Sequence, residues 1–219
     1  MTRFVLATVA ASTLASAASA SFTGYSVERA TTVGGNTRYS VYANFSASNL
    51  VFLNAFSFVN VSGTMNARHQ DTFSADGEVG TWQAGPSVSS ADRGEDSWVT
   101  ASGLATSSGW GSALDPGFAN GGTVGDINNG AGWYDATPGT ANTIGAGGTQ
   151  GGFRMLIAQI VRSGDDSTQA VSNHTLQLSW KVAGTTTAIF GNGSFTIGVP
   201  APGAMALLGL AGLTGRRRR

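Results

Sequence analysis

The residues that could do chemistry in this chain are few and widely spaced. There are two histidines, His69 and His174, and no cysteine. No zinc-type ligand spacing, GxSxG nucleophile elbow or P-loop occurs. His174 opens a strand whose inward face is apolar, which favours a surface or edge position, and His69 follows Arg68 in a polar loop. The sequence therefore predicts no catalytic residue and a protein that is not an enzyme.

Acidic residues cluster in two polar stretches. Asp92, Glu95 and Asp96 precede SWVTAS, and an earlier loop holds a second group, Asp71, Asp76 and Glu78. Paired carboxylates can hydrolyse glycosidic bonds, so a secreted glycoside hydrolase is kept as the least favoured alternative. In GDINNG, Asp126 and Asn128 offer oxygen ligands to Ca²⁺, although the spacing departs from an EF-hand at the third ligand. No cofactor is expected beyond this weak calcium candidate.

Aromatic residues punctuate a glycine-rich stretch from about residue 103 to 152, and Trp82 lies in a loop before it. Exposed rings of Trp82, Trp110, Trp133 and Tyr134 could stack on sugars, as in a carbohydrate-binding module. The favoured interpretation is that the rings anchor a long excursion laid over the domain, because such a loop has little else to bury.

The elements that would position these residues are strands. Apolar and polar residues alternate in TRYSVYANFSA and HTLQLSWKVA, a period of two that is typical of half-buried strands. FRMLIAQIVR is almost continuously apolar and predicts a central strand. The predicted strands span 25–33, 37–47 (after a Gly34-Gly35-Asn36 turn), 50–61, 153–162 and 174–183, with a final pair in 185–198 around Gly191-Asn192-Gly193. The fold class predicted for residues 21–198 is all-β, a single antiparallel β-sandwich of jelly-roll or immunoglobulin-like kind.

The first 20 residues have the form of a secretory signal peptide. Arg3 is followed by an apolar stretch and then by Ala18-Ser19-Ala20, which predicts a signal helix cleaved by signal peptidase before Ser21. Without Arg3 and the four C-terminal arginines, the chain has seven basic residues against twelve acidic ones, a net charge of −5. A body of this charge has no basic face for nucleic acid.

The chain ends in VPAPGAMALLGLAGLTGRRRR, residues 199–219. The apolar run 203–215 would make a helix of roughly 20 Å, which is shorter than the ~30 Å hydrocarbon core. Arg216, Arg217, Arg218 and Arg219 would hold this end on the cytoplasmic side. The tail therefore predicts a stop-transfer element that inserts transiently, rather than a permanent anchor.

In its three parts this tail resembles the PEP-CTERM sorting signal of bacteria: the motif Val199-Pro200-Ala201-Pro202-Gly203, a short apolar helix and an arginine cluster. Ala201 stands where that family usually has glutamate, as in Planctomycetes-like Pro-Ala-Pro-Gly variants. The resemblance implies transient insertion into the inner membrane and processing by an exosortase-like enzyme. It covers about 21 residues of the chain.

The body is similar to segments of uncharacterised exported proteins that bear such tails, in VYANFSASNLVFLNAFSF, DSWVTASG, GWY and RMLIAQIV. Tails of this kind also carry an "ice-binding protein C-terminal" label. The expectation is an exported, non-catalytic protein of the cell surface or extracellular matrix. A carbohydrate-binding module, with extracellular polysaccharide as its partner, is the first alternative, and an ice-binding module is less favoured.

Overall fold

The computed structural model describes the body of the chain as β-strands. The described residues are 21–69, 82, 94–101, 112–118, 125–135, 143–144, 153–166 and 169–199. Their strands are β1 (Phe22–Thr31), β2 (Thr37–Phe45), β3 (Leu50–Ser62), β4 (Trp98–Val99), β5 (Ser112–Leu114), β6 (Trp133–Asp135), β7 (Thr143–Ile144), β8 (Arg154–Arg162), β9 (Ser172–Val182) and β10 (Ile189–Ile197). No helix within these ranges is long and apolar enough to cross a membrane. The predicted signal helix and the tail after Val199 lie outside them.

The strands form two antiparallel sheets. The order is β1-β2-β8-β4 in the first sheet and β10-β9-β3-β6-β5 in the second, where β7 also pairs with β3. Buried side chains from both sheets belong to one main cluster. The sheets therefore pack as the two layers of a sandwich, each contributing its inward face to the core. The all-β, antiparallel fold class predicted from the sequence is confirmed.

The first hairpin follows the predicted pattern. β1 pairs with β2 along its whole length, and the connecting turn contains Gly35 at φ 79°, a left-handed conformation that glycine adopts without strain. Alternate side chains of β2 are buried, namely Tyr39, Val41, Ala43 and Phe45. The period of two thus selects the inward face, as expected for a strand with one side on the core.

Among the long strands, β8 is the most completely buried. β8 runs between β2 and β4, and every residue of β8 after Arg154 is buried, as predicted for a central strand. From the other sheet, the Trp180 ring meets the Phe45 ring edge to face at 5.5 Å. Burying a large apolar side chain contributes about 1.5–3 kcal/mol. The core supplies this stabilisation without disulfide bonds, because the chain has no cysteine.

The prediction of two strands in residues 185–198 is wrong. The segment forms one strand, β10, which pairs with β9 from Ile189 to Ile197 without interruption. Its glycines leave room for aromatic rings of β1. A Cβ at Gly191 would lie 3.0 Å from Phe22 Cδ1, and a Cβ at Gly193 would lie 3.1 Å from Tyr25 Cδ2. Glycine is needed here for close approach between the sheets, rather than for a turn.

The described parts of the glycine-rich stretch extend the second sheet. β5 and β6 pair with each other, and β6 pairs with β3 at Ala55↔Trp133. Phe118 and Trp133 are buried in the main cluster, so these two rings anchor the segment to the domain, as the favoured interpretation expected. Trp110 lies outside the described residues.

Candidate functional site

Two of the aromatic residues considered as sugar platforms belong to the core. Trp82 and Trp133 are each 1% exposed. Their indole N–H groups donate to backbone carbonyls, from Trp82 to Gly125 at 3.0 Å and from Trp133 to Thr100 at 3.1 Å. Rings buried and hydrogen-bonded in this way cannot stack on a ligand, which corrects the proposed role of these two residues. Tyr134 remains 41% exposed on β6.

His69 and Asp96 lie together, which the sequence did not predict. The His69 side chain is 2% exposed, and its Nδ1 lies 3.7 Å from Asp96 Oδ1. The Trp82 ring packs edge-on against the imidazole at 4.8 Å, and His69 Nε2 lies 3.2 Å from the Gly125 carbonyl oxygen. The neighbouring hydroxyl of Ser97 is directed at the backbone oxygen of Val161, 3.3 Å away. His69 therefore links its loop to Trp82 and Gly125, and the Ser97 hydroxyl is not directed at it as a nucleophile would be.

Glu95 clasps the turn between β1 and β2. Its Oε1 accepts from the Gly34 amide at 2.7 Å, and its Oε2 accepts from Thr32 Oγ1 at 2.7 Å and Asn36 Nδ2 at 2.8 Å. Burial opposes ionisation, but the hydrogen bonds from Gly34, Asn36 and Thr32 outweigh it and lower the pKa of Glu95. Glu95 and Asp96 thus face different partners, and Asp92 lies outside the described residues.

The two calcium candidates brace a loop. The Asp126 carboxylate accepts from the backbone amides of Met65 at 2.8 Å and Ala67 at 2.9 Å, one on each oxygen. Asn128 donates its side-chain amide to the Gly117 carbonyl. Within the described ranges, no three residues of His, Cys, Asp or Glu are grouped so as to hold a metal ion. The geometry gives no added support to calcium, which stays a prediction.

A charged cluster that sequence reasoning missed lies at the end of β8. We call Arg29, Tyr39, Arg162 and Asp166 the arginine–aspartate cluster. Arg162 is fully buried and donates to the carbonyls of Met65, Thr64 and Ala170 at 2.7, 3.0 and 3.1 Å. Asp166, also fully buried, accepts from Arg29 Nη2 at 3.0 Å and from the Tyr39 hydroxyl. Such partners are required because an unpaired buried charge is strongly destabilising.

His174 is a core residue, which corrects its predicted surface or edge position. It is 1% exposed and lies between Phe58, at 5.2 Å and nearly parallel, and Phe195, at 5.3 Å. Its Nε2 lies 2.9 Å from Ser172 Oγ. Burial lowers the pKa of His174 to about 4. The alternation 174, 176, 178, 180 already placed it on the inward face with the leucines.

An open concavity formed by described residues lies on the outward face of the second sheet. We call it the outer groove. It has a volume of about 380 Å³ over strands β3, β9 and β10 and is lined by Ser57, Val59, Thr175, Leu176, Gln177, Asn192, Gly193 and Ser194. A shallower extension of about 290 Å³ reaches Phe190 and Gly191. The sequence offered no direct indication of it, because its residues come from three separate strands.

Comparison with known proteins supplies no relative whose role could be carried over. The scan against protein-family models gave no match, and the searches of curated proteins and of solved structures gave none either. The function is therefore inferred from the residues and geometry of this chain.

Proposed function

We propose that this chain is an exported, non-catalytic protein of the cell surface or extracellular matrix, delivered there by its C-terminal tail. The observation that carries the non-catalytic part is the use made of the carboxylates and histidines that lie in the described ranges. Glu95 holds a turn, Asp96 accepts from the Ser97 amide and lies 3.7 Å from the buried His69 ring, and Asp126 caps two backbone amides. Residues engaged in this way support a scaffold rather than a hydrolase, because catalytic acids and bases must reach a substrate.

The end of β10 supports a role for the tail as a separable address. β10 ends at Ile197, which is fully buried. Gly198 has φ 106°, and a Cβ there would lie 2.9 Å from Arg162 Nη1. Val199 is already 40% exposed. Within the described ranges the last residue of the main apolar cluster is Ile197, which precedes the PEP-CTERM-like motif, so removal of the tail should leave the described cluster intact.

Deletion of residues 199–219 tests the proposal in the producing cells. The truncated protein should unfold within about 2 °C of the full chain, since the described apolar cluster ends at Ile197, before the deleted segment. Its location should change from the cell surface to the medium, followed by immunoblotting of cell and medium fractions. A variant with glutamine at the four terminal arginines isolates the stop-transfer step from the Pro-Ala-Pro-Gly motif.

Intact-mass measurement of the protein recovered from cells examines the partners. Signal peptidase is expected to cut before Ser21, and an exosortase-like enzyme to cut within the tail. Unchanged surface retention of the truncated chain, or a recovered mass that includes all of residues 199–219, would overturn the sorting role. Collapse of the truncated domain would show instead that the tail belongs to the fold.

A further inference from the structure

The outer groove has the size and outline of a site for an extended ligand. Its main part, about 380 Å³, falls within the range of about 300–1,000 Å³ typical of small-molecule sites. Gln177 and Asn192 border both the main part and the extension, so the two form one continuous surface. These residues pair directly across β9 and β10, which places their side chains about 5 Å apart.

The lining is uncharged, and an aromatic pair closes one end. No residue bordering the groove or its extension is acidic or basic. Phe190 is 68% exposed, and its ring meets that of Phe56 edge to face at 6.2 Å. Phe56 also pairs with Gln177 across β3 and β9. An aromatic surface therefore lies next to two amides, an arrangement that buries one flat apolar face while hydrogen-bonding the rim of the same ligand.

The side-chain amides in the groove make no hydrogen bonds within the described part of the chain, whereas polar side chains beside the groove are paired. At the end of the same face, Asn173 donates to Ser62 Oγ at 2.9 Å and accepts from Thr196 Oγ1 at 2.9 Å. In the described part of the chain, no hydrogen bond engages the side chains of Gln177 or Asn192. Their amides are exposed and keep donors and acceptors available for a ligand.

Backbone strain marks the same place. Ser57 lines the groove with φ 53°, and the register of β3 against β9 shifts between Phe56 and Val59. A non-glycine residue with positive φ inside a strand is costly and is retained where a bulge redirects side chains. Such outliers concentrate at ligand sites. The bulge also breaks the flatness that an ice-binding face would need.

We infer that the outer groove binds a neutral oligosaccharide. An ionic ligand would find no counter-charge in the lining, and an apolar ligand would leave the exposed amides without partners. A chain of sugar rings satisfies both demands, because each ring has a C–H face for Phe190 and a rim of hydroxyls for Gln177 and Asn192. This site is separate from the aromatic residues of the glycine-rich stretch.

Titration calorimetry of the full chain tests the inference. The probes are cellohexaose, chitohexaose, xylohexaose, mannohexaose and the neutral polysaccharide fraction of the producing cells' envelope. At least one should bind saturably. Phe190→Ala, Gln177→Ala and Asn192→Ala should each weaken that binding about tenfold, as expected for loss of one ring contact or hydrogen bond, while the melting temperature stays unchanged.

Phe153→Ala is the matched control, because Phe153 is 40% exposed and does not border the groove. It should bind like the unmodified chain. Absence of saturable binding to every probe would overturn the inference, as would three groove variants that bind normally. Equal loss in the Phe153 variant would do the same. Because binding is measured in solution, this outcome is independent of where the tail sends the protein.

Discussion

The arginine–aspartate cluster and the outer groove are both polar regions on an apolar scaffold, but their polar groups differ in burial and in hydrogen bonding. Inside, Arg162 and Asp166 are fully buried and bonded to backbone and side-chain partners. Outside, Gln177 and Asn192 are exposed. Burial forces pairing because the desolvation penalty of an unpaired charge is large, whereas water satisfies an exposed amide until a ligand replaces it. The interior cluster thus serves stability, and the groove is available for binding.

Removal of the buried guanidinium should give the largest effect. Arg162→Ala removes one of the two cations beside Asp166, the one at 3.7 Å, and leaves Arg29 at 3.0 Å. It also strips donors from three carbonyls. We expect a loss of about 3–5 kcal/mol in the free energy of unfolding, measured by urea denaturation.

Arg154→Ala is the matched control for this substitution. Arg154 pairs with Glu28 at 2.6 Å on the more exposed side of the first sheet, so its loss should cost about 1 kcal/mol or less. Similar losses for the two arginines would remove the distinction between an interior cluster and a surface pair.

A side chain on the inner face of β10 should have an intermediate effect. Gly191→Val places atoms against Phe22 and Trp180, where even a Cβ would be 3.0 and 3.1 Å from ring carbons. Overpacking of this kind costs about 1–3 kcal/mol. The next residue faces outward, so Asn192→Val should change stability by no more than about 0.5 kcal/mol. Thermal melts of both variants compare the two faces directly, and equal melting points would contradict the assigned orientation.

Acidification should have the smallest effect and acts through His174. Its pKa is about 4 in the folded protein and 6.5 ordinarily. As pH falls below about 6.5, the unfolded chain takes up a proton that the folded chain refuses, so stability is full above this window and declines toward pH 4. The loss between pH 7 and 5.5 should be at most about 1.4 kcal/mol. The urea midpoint of the protein should fall relative to that of His174→Phe as pH falls, and parallel curves would refute the role of this histidine.

Local patterns predicted the long strands and the first hairpin, but not the short strands β4 to β7 or the other strand partners. The alternation in β2 and β9 and the apolar run of β8 identified those elements, because one face or both faces of each strand meet the core. The local pattern of Gly191 and Gly193 predicts a turn. This prediction fails because the rings that they accommodate, Phe22 and Tyr25, lie far away in the sequence. A local reading of glycine favours a turn, and only tertiary packing shows a close approach.

The polar sites depend even more on long-range contacts. The bond between Arg29 and Asp166 joins residues 137 positions apart, and the groove row Phe56, Gln177 and Asn192 spans three strands. Composition and spacing carry no trace of such pairings. His174 is the exception, since the phase of its own strand contained the answer.

The contact between the first and last strands has a consequence for the order of folding. Phe22 of β1 lies under Gly191 of β10, so the aromatic seam between the sheets needs both ends of the domain. Contacts of this sequence separation are late and slow to form, because a long loop must close first. During synthesis the N-terminus emerges first, so the contacts of β1 with β10 cannot form until residue 197 has been released. The domain can therefore finish folding only when the segment that follows β10 is being released.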